Sequence, residues 1–162
     1  MAAKTPEAGP VHIKVVAKNR RAKFDYAIEE KLEAGLELRG SEVKSLRDGT
    51  AVLSDAYGIP RGTELFLVNA KIMPYRSGGA YGHTDAERSR KLLLHRREVD
   101  HLLAKVQKGG YTLIPLSLYF KNGKAKVELA LCRGKTHEDR RDDIKEREGK
   151  REIERAMRPK RR

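Results

Sequence analysis

From residue 24 to residue 38 the chain alternates. Phe24, Tyr26, Ile28, Leu32, Ala34, Leu36 and Leu38 occupy even positions, and Asp25, Glu29, Lys31, Glu33 and Glu37 occupy odd ones. Period two marks a half-buried strand. A helix would also set Phe24, Ile28, Leu32 and Leu36 at i+4 spacing, but sustained alternation around Gly35 favours one long strand bent at the glycine. Ser41 then offers a helix N-cap, Glu42 suits a helix start and Gly49 suits a helix end, so a short helix follows. Residues 51 to 59 and 64 to 73 read as strands around the turn Pro60-Arg61-Gly62-Thr63. Val99, Leu102, Leu103 and Val106 share one helical face ahead of Gly109-Gly110, which predicts a second helix over 96 to 108. Asn122-Gly123 is the strongest local signal: a type I′ turn needs positive φ at both central residues, and this dipeptide accepts it. It predicts a hairpin of strands 111 to 121 and 124 to 132. Residues 11 to 17 add one more strand. The fold class is therefore mainly β, with about six strands and two to three short helices, and closing such a sheet into a small antiparallel barrel removes its edges.

The ends differ from this body. Residues 1 to 10, with two prolines and no periodicity, read as a disordered leader. Residues 133 to 162 hold 13 Lys or Arg and 8 Asp or Glu, with Ile144, Ile153, Ala156 and Met157 as the only aliphatic or Met residues. Such a stretch buries too little apolar area to offset its ordering entropy, so the tail is expected to be disordered when free. Asp143 with Arg147, Glu146 with Lys150 and Glu154 with Arg158 are acid-before-base pairs at i,i+4, and Arg147, Arg151, Arg155 and Arg158 form a cationic stripe at helical spacing. A partner supplying phosphate would turn the tail helical. The domains are thus a leader at 1–10, a β-barrel at 11–132 and a basic tail at 133–162.

Charge narrows the function. With 36 Lys plus Arg against 23 Asp plus Glu, the 162-residue chain carries a formal charge of +13, which favours phosphate-rich partners. One cysteine, Cys132, excludes an internal disulfide framework. Short apolar runs and the lack of a cleavable leader pattern place the protein in the cytoplasm, away from membranes. Histidines at 12, 83, 95, 101 and 137 match no metal-ligand spacing. Gly78, Gly79 and Gly82 lack the Lys-Ser/Thr of a phosphate loop and read as a mobile loop. A metal-dependent nuclease using Asp55, Asp85 or Asp142 with Asp143 stays open, as does a general single-strand RNA chaperone. Lys18, Asn19, Arg20, Arg21, Lys23, Phe24 and Tyr26 interleave cations with rings, the ingredients of loop-RNA recognition, although the alternation directs Tyr26 toward the core and leaves Phe24 suited to either role.

Four runs are more specific: N-R-R-A-K-F-D-Y-A-I-E-E-K-L-E-A-G-L-E-L-R-G-S-E-V-K-S-L-R-D-G at 19 to 49, R-S-R-K-L-L-L-H-R-R-E-V-D at 88 to 100, G-Y-T-L-I-P-L-S-L-Y-F-K-N-G-K-A-K-V-E-L-A-L at 110 to 131, and D-I-K-E-R-E at 143 to 148. Together they resemble the SmpB family of SsrA-binding proteins, from residue 11 to about 158. The resemblance implies a barrel like the oligonucleotide-binding fold, no catalytic activity and no cofactor or metal. It implies a monomer that binds the tRNA-like domain of transfer-messenger RNA and rescues stalled ribosomes, meeting elongation factor Tu and alanyl-tRNA synthetase only through the RNA. Glu33, Leu93 and Lys126 match positions that hold that RNA, and Asn19, Arg20 and Arg21 its RNA-facing loop, which Lys23, Phe24 and Tyr26 extend. Arg133, Lys135, His137, Asp139, Arg140 and Arg141, followed by Lys145, Arg147, Arg151 and Arg155, match a tail that enters the decoding centre. Phe24 stands where the family commonly has His, Thr136 replaces a Lys, and His137 lies one residue early.

Overall fold

The computed structural model describes residues 11–76 and 85–158. The leader, the Gly78-Gly79-Gly82 loop and residues 159–162 lie outside the described residues. Asn122 and Gly123 take φ of 50° and 78°, and the hairpin forms where that turn chemistry demands it, pairing β8 (Thr112–Lys121) with β9 (Lys124–Gly134). The turn also receives the chain's first strand, β1 (Ile13–Lys18): the His12 amide donates to Asn122 Oδ1 at 3.1 Å and the Asn122 amide donates to the His12 carbonyl at 3.0 Å.

The long alternating strand is shorter than its pattern. Residues Ala22–Asp25 make a helical turn, α1, so β2 spans Tyr26–Leu36. Its irregularity of register lies between Ile28 and Glu30. Gly35 serves a different purpose, because a Cβ there would stand 3.1 Å from Leu93 Cβ on the neighbouring strand. Helix α2 covers Gly40–Arg47 and starts one residue before Ser41, since the Glu42 carboxylate accepts the Arg39 amide at 2.7 Å. The two strands expected over 51–59 and 64–73 each break in two: β3 (Ala51–Val52) and β4 (Tyr57–Arg61), then β5 (Glu64–Val68) and β6 (Lys71–Ile72). Strand β7 (Arg90–Leu93) has no counterpart in the sequence pattern, whereas α3 (Arg96–Gln107) falls where its periodicity places it. The last helix, α4, covers His137–Met157. Nine strands and four helices among the described residues replace the expected six and two to three.

Pairing runs as a ring of six strands, β8-β4-β5-β7-β2-β9 and back to β8, with β1 added on β8 and β3 paired to β6 separately. The ring passes from β4 to β8 through a single register pair, Gly58 with Leu113, and a Cβ on Gly58 would lie 2.8 Å from Leu113 Cβ. Only glycine permits that approach. Inside sit Leu46, Leu67, Leu92, Leu102, Leu113, Val127 and Leu129, all buried, with α3 presenting Val99, Leu102 and Leu103. A second, smaller cluster lies under α1, where Ala22, Ile114, Leu116, Ala130 and Cys132 are buried and Tyr26 and Ile28 pack against them. Burial pushes the Cys132 thiol up to about 11.

The core also contains charge. Glu42 and Arg90 are both 0% exposed. Arg90 donates from Nε to Glu42 Oε1 at 2.9 Å, and its remaining donors reach the carbonyls of Ala70 (2.6 Å), Arg88 (3.0 Å) and Ala86 (3.1 Å). Arg88 Nη2 donates to Glu42 Oε2 at 2.7 Å. Burial alone would raise the Glu42 pKa, but the Arg88 hydrogen bond, the Arg39 amide and Arg90 outweigh it and hold the carboxyl down at about 2.

A carboxyl depressed from 4.5 to about 2 contributes stability that is complete above the first value and lost as pH falls toward the second. Glu42→Gln should therefore cost on the order of 3 kcal/mol near neutrality, because it leaves Arg90 buried without its countercharge. It should also flatten the acid limb of stability against pH, as denaturant titrations of both proteins across that window will show.

Candidate nucleic-acid interface

Strand register brings distant residues into one row. Leu93 on β7 faces Gly35 on β2, Gly35 faces Lys126 on β9, and Lys126 faces Tyr119 on β8. Glu33 lies two residues before Gly35, hence on the same outer face. Beside this row lies a cleft of about 660 Å³ lined by Glu33, Leu93 and Lys126 together with Lys91, His95 and Arg96. The three residues singled out by family resemblance thus meet in one place, from three strands. Leu93 is 49% exposed, an apolar side chain presented to solvent beside cations. The Glu33 carboxylate is not loose: Tyr119 Oη donates to its Oε2 at 2.6 Å, and Lys121 Nζ donates to its two oxygens at 3.0 and 3.1 Å. Those bonds, the Tyr119 one foremost, hold its pKa below the usual carboxylate value, while desolvation and then Glu33 push the Tyr119 phenol upward. Tyr119 was missed in the sequence. Its signal was an outward place in the strand beside the Asn122-Gly123 turn.

A second cleft continues this face toward the N-terminal segment, lined by Lys18, Arg20 and Lys23 with Lys31, Ser117 and Tyr119. Arg20, Arg21 and Lys23 are exposed. Asn19 is different: it is buried, its Oδ1 accepts the Ala22 amide at 3.2 Å, and its Nδ2 donates to the Leu53 carbonyl at 3.3 Å. Its amide starts α1 and ties it to the strand region beyond, which sets the direction of Arg20 and Arg21. Tyr26 packs into the second cluster, as the alternation indicated. Phe24 is half-buried, with the Arg147 guanidinium 5.6 Å from its ring centre.

The tail, expected to be disordered when free and helical on a phosphate-bearing partner, carries α4 in the structure. Thr136 and Asp139 cap each other, Asp139 N donating to Thr136 Oγ1 at 3.3 Å and Thr136 N to Asp139 Oδ2 at 3.0 Å. The cap occupies Asp139 and, through Thr136, holds its carboxyl below the usual range. Strand β9 runs through Gly134, two residues into the expected tail, so Arg133 belongs to the ring: it stacks 4.3 Å from the Tyr111 ring centre and lies 3.3 Å from Glu29. Lys135 donates to the Lys23 carbonyl at 3.0 Å and pairs with Asp143 at 2.5 Å. Asp143 thus takes Lys135 in place of Arg147, whereas Glu146–Lys150 and Glu154–Arg158 form as the spacing suggests. Arg140 is half-buried, and His137, Arg141, Lys145, Arg147, Arg151 and Arg155 remain exposed. The helix buries no residue of its own.

Among the described residues, no three His, Cys, Asp or Glu side chains group to hold a metal ion, and Asp55, Asp85, Asp142 and Asp143 join no such group. No helix among them is long and apolar enough to cross a membrane.

A strand ring with one cationic outer face, continued by a long exposed helix rich in both arginine and acid, defines a protein built to meet a polyanion. The chain belongs to the SmpB protein family, whose model matches residues 16–159. It is similar to the SsrA-binding protein of Myxococcus xanthus (strain DK1622), 64% identical over 146 residues that cover 90% of each chain. The SsrA-binding protein of Geobacillus kaustophilus (strain HTA426) is 52% identical over 145 residues, 90% of this chain and 93% of that one. Among solved structures, a chain described under "tmRNA-SmpB: a journey to the center of the bacterial ribosome" superposes with a TM-score of 0.63 at 48% identity, covering 75% of this chain and 85% of that one.

Removing the Asn19 amide should strand a buried N–H and a buried carbonyl together. Asn19→Ala is expected to lower stability by about 1–3 kcal/mol in urea unfolding, and an unchanged midpoint would show that the amide has no structural role.

Proposed function

We propose that this protein binds the tRNA-like domain of transfer-messenger RNA (SsrA) on the outer face of its strand ring and delivers it to stalled ribosomes for trans-translation. The observation that carries the reading is the convergence of Glu33, Leu93 and Lys126 on one cleft. The relatives' names, and the neighbour's tmRNA and ribosome, support the same choice of partner. Lys126, Lys91 and Arg96 supply countercharge to phosphates, and exposed Leu93 offers an apolar surface to a ribose or base, so that cations set affinity and shape sets register. Arg20, Arg21 and Lys23 extend the face, with Phe24 and Tyr26 behind them. The ring acts as a closed barrel of the oligonucleotide-binding kind, without catalysis, in a monomer of the cytoplasm. Elongation factor Tu and alanyl-tRNA synthetase meet the protein through the RNA.

The tail serves the second partner. Carried on a stiff helix, Arg140, Arg141, Lys145, Arg147, Arg151 and Arg155 are suited to lie along ribosomal RNA, with Arg133, Lys135 and His137 at its root and Asp139 capping its first turn. In this reading α4 occupies the empty A site at the decoding centre, where it stands in for missing codon–anticodon pairing.

Binding titrations across salt test the first half. Lys126→Ala should weaken binding to transfer-messenger RNA and lower the log–log salt slope by up to about one unit, since one counterion-releasing contact disappears. An unchanged affinity and slope would assign Lys126 to ordinary hairpin charge.

Ending the chain after Gly134 tests the second half. The ring should fold, because no residue of α4 is fully buried, and should bind the free RNA within about tenfold of the full chain, having lost mainly unspecific phosphate attraction. It should fail to support peptide tagging on stalled ribosomes in a reconstituted assay. Tagging that survives would reduce the tail to a solubility device.

A further inference from the structure

The geometry points to Lys121 and Tyr119 as the RNA-contacting side chains beside the cleft, with Glu33 as the residue that positions them. This rests on the function proposed above and extends it to residues outside the family-matched set.

A carboxylate offers about four lone-pair sites on two oxygens. At Glu33 three donor contacts are already present, two from Lys121 and one from Tyr119. A phosphate set against this carboxylate would be repelled. Set against Lys121 it would find an ammonium with three donors, whose contact with Glu33 is shared between the two oxygens of one carboxylate and leaves donors turned outward. Lys121 and Glu33 are 37% and 36% exposed, so the pair sits at the rim where a ligand reaches it. Lys121 also faces Lys124 across the hairpin, and Lys126 faces Tyr119. Lys121, Lys124 and Lys126, with Lys31 beside Glu128, thus outnumber Glu33 and its register partner Glu128, and the surplus is positive.

Glu33 does for Lys121 what a flexible surface lysine lacks. An unpaired lysine loses rotamer entropy when immobilised, and a lysine already held by a carboxylate has lost part of that before RNA arrives. The same carboxylate orients the Tyr119 hydroxyl and with it the ring. That ring lies at the junction of the face, since Tyr119 lines the Arg20–Lys23 cleft and its hydroxyl bonds Glu33 of the other cleft. A ring there can stack on an unpaired base passing from one cleft to the other.

The test uses the full chain and a transcript of the tRNA-like domain of transfer-messenger RNA, with affinities read across a salt series. Lys121→Met should weaken binding by about tenfold and lower the salt slope by up to about 0.9, one phosphate contact being lost. Lys121→Arg, which keeps the charge, should restore most of both, and Tyr119→Leu should weaken binding with the slope unchanged. Glu33→Gln should weaken binding in the parent protein, cost less in the Lys121→Met background, where Tyr119 is the client left, and cost less than about twofold once Tyr119→Leu is added, because a positioning residue has no effect when both its clients are gone. Thermal melts accompany each variant, and Lys121→Gln provides a second neutral replacement should the methionine disturb the hairpin. The inference is overturned if both neutral variants bind like the parent with its salt slope, or if Glu33→Gln costs as much without Lys121 as with it, which would make Glu33 itself the contact. A parent chain that does not bind the transcript overturns the proposed function and this inference with it.

Discussion

The buried pair of Glu42 and Arg90 is the constraint on which the interface depends. Two fully buried charges are costly to desolvate, and the cost is tolerable only where every donor and acceptor finds a partner. Arg90 meets that condition by spanning the carboxylate of α2 and the carbonyls of residues 70, 86 and 88. One side chain therefore fixes the helix, the approach to β7 and the strand itself. Strand β7 needs this help, having only two register pairs on each side, with β2 and with β5. Leu92 then faces the core and Leu93 the solvent. Without the guanidinium in place, the wall of the cleft has no fixed position.

Two close approaches complete the ring. Gly58 lets β4 reach Leu113 and Gly35 lets β2 reach Leu93, and a methyl group at either position would meet a side chain at 2.8 or 3.1 Å. At Gly35 the missing side chain has a second effect. It leaves a smaller cleft of about 320 Å³ on the outer face, which Leu93 and Lys126 share with the larger one. The packing requirement of the ring and the shape of the binding face are met by the same residue.

Ring and tail are joined by polar contacts at α1. Lys135 bonds the Lys23 carbonyl and Asp143, its amide bonds the Asp25 carbonyl, and Arg147 lies over Phe24. None of this buries an α4 residue fully. A helix held by charge and by its own cap, with no apolar seam, is loosened by salt and exchanged readily for a stronger anion. Such an attachment suits a segment that has a second place to be.

The division between local and distant information is visible residue by residue. The Asn122-Gly123 hairpin, helix α3, the helix stop at Gly49 and the pairs Glu146–Lys150 and Glu154–Arg158 were legible because their causes act within a few positions: backbone φ, side-chain period and charge at i,i+4. The family runs named Glu33, Leu93 and Lys126 without showing that they meet. What only the tertiary structure decided was set by partners far along the chain. Arg90 is a core residue because Glu42 waits 48 positions away, Glu33 is held by Tyr119 from 86, and Asp143 turns from Arg147 to Lys135 because Lys135 is itself pinned to Lys23, 112 positions earlier. Arginine in an Arg-Ser-Arg-Lys run looks like surface, and asparagine beside two arginines shows no structural duty, until folding supplies the buried partners that give each a structural role. Periodicity records which face of an element is apolar, whereas the pairing of polar groups across the ring depends on register, and register is settled only when all the strands close together.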